Sequence, residues 1–403
     1  MSRTVPFYKP SIGEAEIAAV VECLRSGWLT TGPRTREFER DFGAYVRQKH
    51  SLALNSCTAA LHLALEAIGL KAEESVLVPT MTFAATAEVV RYFGAKPILV
   101  DCREEDFNLD PLELRRRTVE AVEAGEQPKA VIPVHYGGQV GDVHAVAALA
   151  KAHDLRIIED AAHCCPAYYR DDEQEPWKPV GAGADVTCFS FYANKTITTG
   201  EGGMACTSVD ELADRMRVMS LHGISKDAWK RFTAEGSWYY EIVAPGFKYN
   251  LTDIASAIGI HQLSKADELH RRRAERVGFY KEELAGVDEV ILPTQLPNRI
   301  HSWHLYVIRL RLERLSIDRA QLIEELKRLG ITTSVHWMPL HMHPYYRQRY
   351  GYRPEDFPVA ARLFKEIVTL PLFPDMTRDD VTYVCNALKG IIAKNLRGAP
   401  CGS

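Results

Sequence analysis

The chain has 403 residues, which is too long for one ordinary hydrophobic core, so we expect two domains. A hydrophobic fraction of 46%, a charged fraction of 25% and a net charge of −4 are typical of a soluble globular protein and argue against nucleic acid as the main partner. No apolar run approaches the roughly 20 residues that span a bilayer, and nine cysteines without a CxxC pair argue against a zinc site or a disulfide framework. The cytoplasm is therefore the expected location.

The first predicted element is a helix that follows an N-terminal arm, 1–12. Ser11 and Glu14 have the spacing of a capping box, and Gly27 ends the helix. Its apolar face is predicted to comprise Ile17, Val20, Val21 and Leu24. The pattern therefore indicates an amphipathic helix, and the loop GWLTTGP follows it.

Short apolar runs then alternate with helical patterns. The runs that predict strands are SLALN (51–55), SVLVP (75–79), PILVD (97–101), AVIPVHY (130–136), RIIED (156–160) and VTCFSF (186–191). Helices are predicted over 58–68 and 142–154. Apolar runs without alternation that are joined by helices indicate a parallel sheet covered on both faces. Ligands of such sheets bind at the carboxyl ends of the strands.

A second pattern begins with a long helix after Asn250. It continues with a strand over 303–312, a helix over 318–330, a strand over 331–337 and a last helix over about 378–394. This pattern predicts a smaller α+β domain. The expected division is an arm (1–12), a large domain (13–250), a linking helix with a small C-terminal domain (251–396) and a flexible tail (397–403).

A lone lysine, Lys195, follows the apolar run CFSFYAN and precedes a glycine-rich run. A single lysine in a loop is usually a solvated surface charge. Here the preceding run indicates burial, and a buried lysine is costly to desolvate unless it pairs or reacts. Ser190, five residues earlier, could offer a hydroxyl to an anion.

Three further features lie at the ends of predicted strands. The turn 55–58, with the sequence NSCT, could cap a helix or bind a phosphate at the helix N-terminus. Asp160, with His163 three residues later, could cap a helix or hold a cationic nitrogen. Phe83 could be a core aromatic or a flat surface for a flat cofactor. Together with the lysine, these features match pyridoxal 5′-phosphate (PLP), which needs an amine, an acid, an anion site and a stacking surface.

The chain resembles the sugar aminotransferases of the DegT/DnrJ/EryC1/StrS family. The matching stretches are SGWLTTGP, TAALHLAL, VPTMTF, IPVHYGG, IEDAAH, FSFYANKTITTGEGGM, GFKYNLTDI and WHLYVIRL, which cover nearly the whole chain. The resemblance implies the type I (aspartate aminotransferase-like) fold, with a mainly parallel seven-stranded sheet, helices on both faces and a smaller C-terminal α+β domain. The domain 13–250 would then bind PLP.

The resemblance also implies roles for individual residues. The catalytic residues would be Lys195, which forms the Schiff base, Asp160, which pairs with the pyridine nitrogen, and His163, which lies against the ring or its phenolic oxygen. The other cofactor-binding residues would be Phe83, Cys57, Thr58, Ser190 and Asn250. The substrate contacts would be Thr31, Lys248, Tyr249, His336, Trp337 and His341. Cys57 stands where the family usually has Gly or Ala, and Asn250 would reach the phosphate of the neighbouring subunit or cap a helix.

The implied activity is transfer of the amino group of L-glutamate, which becomes 2-oxoglutarate, to a nucleotide-linked keto-sugar. The nearest likeness is to the enzymes that make UDP-4-amino-4-deoxy-L-arabinose, so C4 of a UDP-4-keto-sugar is the expected site. Amination at C3, another nucleotide or a cyclitol ketone stays open, as does a non-catalytic, PLP-binding regulatory protein. The expected assembly is a homodimer with active sites at the interface. No metal site is expected, because His336, His341 and His343 lack the spacing of a helical zinc pair.

Overall fold

The computed structural model describes residues 3–224 and 240–397. The strands in chain order are β1 (His50–Leu54), β2 (Glu74–Pro79), β3 (Lys96–Val100), β4 (Gln127–Val131), β5 (Arg156–Asp160), β6 (Tyr168–Tyr169), β7 (Lys178–Pro179), β8 (Val186–Ser190), β9 (Gly203–Thr207), β10 (Val290–Ile291), β11 (Arg299–Ile300), β12 (Tyr306–Leu310) and β13 (Ile367–Leu370). The helices are α1 (Glu14–Ser26), α2 (Pro33–Tyr45), α3 (Cys57–Ala67), α4 (Ala85–Tyr92), α5 (Pro111–Glu123), α6 (Val143–Ala152), α7 (Asp210–Met219), α8 (Asp253–Ser264), α9 (Ala266–Glu283), α10 (Arg319–Arg328), α11 (Pro344–Tyr350), α12 (Pro358–Glu366) and α13 (Arg378–Lys394).

The central sheet has seven strands in the order β1-β9-β8-β5-β4-β2-β3. The pairs from β8 to β3 are parallel, and β9 alone runs against both of its neighbours. The prediction of a mainly parallel seven-stranded sheet is therefore confirmed. Both faces of the sheet are buried: Val76 and Val78 belong to one core, and Leu77 between them belongs to another. This two-sided burial explains why the strand runs are apolar without alternation.

The C-terminal half contains a second, three-stranded sheet in the order β10-β12-β13. Its core joins this sheet to α9, α10 and α13 through residues such as Tyr280, Leu322 and Leu388. The predicted last helix matches α13. The division into two domains stays a prediction, and the predicted tail lies outside the described residues except for Arg397.

Several predicted elements were wrong. The segment 331–337 forms only isolated bridges, from Ile331 to Val5 and from Ser334 to Thr369, because β13 occupies the place beside β12. The long helix after position 250 is two helices, α8 and α9, which meet at Lys265. The strand β9 was missed, since its residues GMACT have no strong strand pattern. Within the described residues, no helix combines the length and the apolar character needed to cross a membrane.

The start of α1 also differs from the prediction. The N-cap is Gly13 rather than Ser11, and the carboxylate of Glu16 accepts the Gly13 N–H at 3.0 Å. The helix buries Ala19 and Cys23 against α8, because small side chains allow close packing of the two helices. The predicted apolar face is largely uncovered in the single chain, where 49% of Ile17 and 52% of Leu24 are exposed.

Candidate active site

A cavity of about 360 Å³ opens at the carboxyl ends of β5 and β8, beside the first turn of α3. This is the edge at which parallel α/β sheets bind ligands. The predicted site residues that line it are Cys57, Thr58, Phe83, Asp160, His163, Ser190, Lys195, His336 and Trp337. The structure therefore brings together side chains from the two halves of the chain.

Lys195 lies in the turn that follows β8, where its backbone N–H donates to the carbonyl oxygen of Tyr192 at 2.9 Å. Burial disfavours the charged ammonium and lowers the pKa of Lys195 to about 8, although the carboxylate of Asp160 partly offsets this effect. A lysine amine with a pKa near 8 is a competent nucleophile and base at physiological pH.

Asp160 ends β5, and only 6% of it is exposed. Burial raises the pKa of its carboxyl. Two hydrogen bonds to the charged form oppose this: the Thr86 hydroxyl donates to Oδ2 at 2.9 Å, and the Ala162 N–H donates to Oδ1 at 3.2 Å. The Thr86 hydroxyl also lies 2.7 Å from that of Thr82, which extends the network into the wall of the cavity. The site therefore contains a buried carboxylate that can face a cationic nitrogen.

The first turn of α3 faces the cavity. The Ser56 side chain caps the helix by accepting the Ala59 N–H at 3.1 Å, so the capping interpretation of this turn is correct. The turn still presents the positive end of the helix dipole, which attracts anions. A Cβ atom on Gly203 of β9 would lie 2.4 Å from the backbone carbon of Ser56, so only glycine allows this approach. Cys57 is buried and burial raises its thiol pKa well above the usual range, which makes it a poor target for oxidation.

His163 is buried beside the cavity, and its Nδ1 accepts the Gly137 N–H at 3.1 Å. Burial lowers the pKa of this imidazole far below its ordinary value, so the ring is neutral and carries its proton on Nε2. Trp337 stacks on it, with ring centroids 5.1 Å apart and planes inclined by 18°. Phe83 is 60% exposed, so it is available as a flat surface rather than buried in the core.

Five predicted residues lie outside the wall of the cavity. Asn250 does not cap a helix, because Thr252 caps α8; its side chain instead donates to the Thr31 hydroxyl and accepts from Lys248 Nζ, each at 2.6 Å. The Tyr249 hydroxyl bonds to His62 Nδ1 at 3.0 Å. His341 is fully buried, and its Nδ1 lies 2.8 Å from the Thr80 hydroxyl.

Sequence reasoning missed several residues of the site. Those that line the cavity include Thr82, Tyr192, Asn194, Glu201 and His304. Thr86 was missed as the partner of Asp160. The sequence contains a weak indication of this role, because Thr82 and Thr86 in VPTMTFAAT follow a strand and are four residues apart at the start of a helix. His304, next to the strand β12, has a ring centroid 4.4 Å from that of His163.

Known proteins of similar sequence and structure identify the family. The model of the DegT/DnrJ/EryC1/StrS aminotransferase family matches residues 10–389. The spore coat polysaccharide biosynthesis protein SpsC of Bacillus subtilis is 43% identical over 391 residues, which cover 96% of this chain and 97% of that protein. The Spr1654 protein of Streptococcus pneumoniae, described as a sugar aminotransferase, has in its PMP-form a TM-score of 0.89 and 33% identity, with 97% of this chain and 100% of that chain covered. The PseC aminotransferase of Helicobacter pylori has a TM-score of 0.87 and 27% identity, with coverages of 97% and 100%.

The chemistry of the cavity fits PLP. Lys195 supplies an amine for the aldehyde, and Asp160 supplies a carboxylate for the pyridine nitrogen. The first turn of α3 supplies the positive end of a helix dipole for the phosphate. The close approach of Gly203 keeps that turn beside the cavity. The Spr1654 structures in PMP-form and PLP-form, with TM-scores of 0.89 and 0.87, carry the same cofactor in its two states. The chain therefore belongs to the DegT/DnrJ/EryC1/StrS aminotransferase family and is a PLP-dependent sugar aminotransferase.

Proposed function

We propose that the protein transfers the amino group of L-glutamate to the ketone of a nucleotide-linked keto-sugar, at C4 of a UDP-4-keto-sugar. The observation that carries the transamination is the buried pair of Lys195 and Asp160 in one cavity. The choice of C4 rests on the stretches GWLTTGP, GFKYNLTDI and WHLYVIRL, which resemble the branch that aminates this carbon. The name of SpsC, a polysaccharide biosynthesis protein, agrees with an amino-sugar product.

Each predicted residue that lines the cavity has a proposed part in this reaction. Bound PLP supplies an aldehyde that carries the amino group and a ring that withdraws electrons from the reacting carbon. Lys195 would hold the cofactor and, once the donor displaces it, would take a proton from the reacting carbon and return one. With a pKa of about 8, about a tenth of its amines are neutral at pH 7. Asp160 would hold the proton on the ring nitrogen, since two hydrogen bonds favour its charged form.

The remaining residues would bind and orient. Ser190 and the turn of Cys57 and Thr58 would hold the phosphate, and Phe83 would stack on the ring. His163 would lie against the ring or its phenolic oxygen. Its imidazole is neutral there, because burial and the nearby charge of Lys195 both lower its pKa. The walls formed by His336 and Trp337 would contact the substrate.

We also propose a homodimer whose active sites lie at the interface. Ile17, Val21 and Leu24 form an exposed apolar face on α1, which Trp28 and Leu29 continue. Exposed apolar patches of this kind mark interfaces between subunits. In such a dimer, Thr31, Lys248 and Asn250 would reach the phosphate or substrate of the partner, and Tyr249 would shape the same loop. His341 is fully buried, so it would act on the substrate only through the position of His336 and Trp337. The cytoplasm is the proposed location, since the cysteines in the described part of the chain are free thiols.

Replacing Leu24 by glutamate should weaken this dimer. A charge at the centre of an apolar interface is costly to bury, so we expect the variant to sediment as a monomer at micromolar concentration and to lose most activity. Leu329→Glu is the matched control, because Leu329 is comparably exposed (43%, against 52% for Leu24) but lies outside the proposed face. A Leu24→Glu variant that stays dimeric and active would exclude α1 from the interface.

The proposed reaction can be tested directly with a panel of acceptors. Purified protein is incubated with glutamate and UDP-, dTDP- or GDP-linked 4-keto- and 3-keto-sugars, and 2-oxoglutarate is measured. We expect the highest rate with a UDP-4-keto-sugar, and NMR of the product should place nitrogen on C4. A product aminated at C3 would replace the proposed regiochemistry. Failure to form 2-oxoglutarate with every acceptor would favour a cofactor-binding regulatory protein.

A further inference from the structure

A second carboxylate is buried directly before Asp160 on β5. Glu159 is only 3% exposed, and because alternate residues of a strand point to opposite faces, its side chain leaves the strand on the face away from that of Asp160. Its Oε2 lies 3.5 Å from Nε2 of His135, which is 1% exposed. Among the residues that the structure describes, neither atom has a hydrogen-bond partner. A buried pair of this kind requires an explanation, since unpartnered polar atoms are costly inside a protein.

The surrounding donors match this carboxylate. The Gly141 N–H donates to Nδ1 of His135 at 3.3 Å, so a neutral His135 carries its proton on Nε2, the atom that faces Glu159. Thr187 of β8 is in register with Glu159, and its hydroxyl likewise has no partner within the described chain. Registered residues of paired strands lie on the same face of a sheet. One acceptor group and two donors are thus buried together behind the active-site strand.

His135 belongs to the segment 133–141, which follows β4. This segment makes hydrogen bonds to Asp160 and His163 of the active site. The Asp160 N–H donates to the Pro133 carbonyl at 2.9 Å, and the His135 N–H donates to the Asp160 carbonyl at 3.2 Å. The Gly137 N–H donates to His163 Nδ1. A shift of this segment would therefore displace both Asp160 and His163.

We propose that Glu159 and His135 are positioning residues for the cofactor. Their pairing, supported by the Thr187 hydroxyl, fixes the segment 133–141 against β5, so that Asp160 and His163 keep the places that the cofactor ring requires. Neither Glu159 nor His135 lines the cavity. Their proposed role concerns PLP binding, so it does not depend on which sugar is the substrate.

The test compares two variants of Glu159 in apo-protein that is titrated with PLP. Glu159→Gln keeps an oxygen that can accept the His135 N–H, and Glu159→Leu removes it. We expect Glu159→Leu to raise the Kd for PLP by about tenfold, the effect seen when residues behind metal ligands are replaced, and Glu159→Gln to stay within about threefold of the unchanged protein. The Kd is read from cofactor absorbance, and the Tm of the apo-protein is measured in parallel.

Asp185 provides the matched control, because it supports the other end of the same strand. Its Oδ2 accepts the Ile157 N–H at 2.8 Å, far along β5 from the cavity. Asp185→Ala should lower the Tm and leave the Kd for PLP unchanged. If Glu159→Leu also lowers only the Tm, or if the glutamine and leucine variants lose the same PLP affinity, the proposal is overturned.

Thr187→Val is a milder second variant for the case in which Glu159→Leu does not fold. It removes one donor and keeps the shape of the side chain, so we expect a Kd for PLP raised about threefold, a fraction of the effect of losing the acceptor. An unchanged Kd would contradict the proposal. Neither titration needs a keto-sugar, so the result can be interpreted even if the proposed sugar reaction does not occur.

Discussion

Replacing Lys195 by alanine should abolish turnover and remove the absorbance of the lysine-bound cofactor near the visible edge. The amine is the only group proposed to bind PLP covalently, and it is also the proposed base, so both functions are lost together. We expect a fall in kcat of at least about ten-thousandfold, the upper range for loss of a general base. Steady-state assays with glutamate and absorbance spectra of the purified variant measure the two effects.

Two further variants serve as controls: one keeps the positive charge at position 195 without the amine, and the other removes a surface lysine. Lys195→Arg keeps a positive charge but has no free amine, so it should be as inactive as the alanine variant. Lys151→Ala, at an exposed position of α6, should behave like the unchanged protein. Borohydride should attach the cofactor to Lys195 alone. Turnover retained in Lys195→Ala, or a label on another lysine, would remove the assignment on which the mechanism is built.

Replacing Asp160 by asparagine should leave a protein that still binds PLP but transaminates poorly. The asparagine side chain has the same shape, but its single amide oxygen can replace only one of the two carboxylate oxygens that accept from Thr86 and Ala162. It also has no charge to hold the proton on the ring nitrogen. We expect kcat to fall by about a hundredfold or more, as when one stabilising group is removed from an active site. The half-reaction with glutamate, followed by absorbance, isolates this step from the sugar.

Thr86→Val is a milder variant, because it weakens the support of the Asp160 carboxyl without removing the carboxyl itself. Burial already raises the pKa of the Asp160 carboxyl, and loss of the hydroxyl removes a hydrogen bond that favours the charged form, so the pKa should rise further. The acid limb of the rate profile should therefore move to higher pH, with a smaller loss of kcat than in Asp160→Asn. Normal turnover in Asp160→Asn would rule out the proposed role of the carboxylate.

The central part of the site could be predicted from the sequence because its residues follow strands directly. Asp160 ends β5, and Lys195 comes five residues after the end of β8. In a parallel sheet, strand ends meet at one edge, so chain position alone brings these side chains together. The unusual residue types, a lone lysine and an aspartate after apolar runs, then indicate the chemistry.

Other contacts could not be predicted, because they join elements far apart in the chain. The hydroxyl that supports Asp160 comes from Thr86, 74 positions away, and Trp337 stacks on His163 from the C-terminal half. The strand β9 was missed because its residues GMACT have no strong strand pattern, and only the pairing with β1 and β8 defines it. In the same way, Gly13 rather than Ser11 caps α1, since the side chain of Glu16 decides where that helix begins.

The close approach of Gly203 to Ser56 has a consequence for mutational scans of this enzyme. The glycine has no side chain and does not line the cavity, so a map of ligand contacts would overlook it. Any other residue there would place a carbon 2.4 Å from the backbone of Ser56 and push the first turn of α3 out of place. Position 203 should therefore score as intolerant in a screen for vitamin B6 retention, alongside residues that bind the vitamin itself.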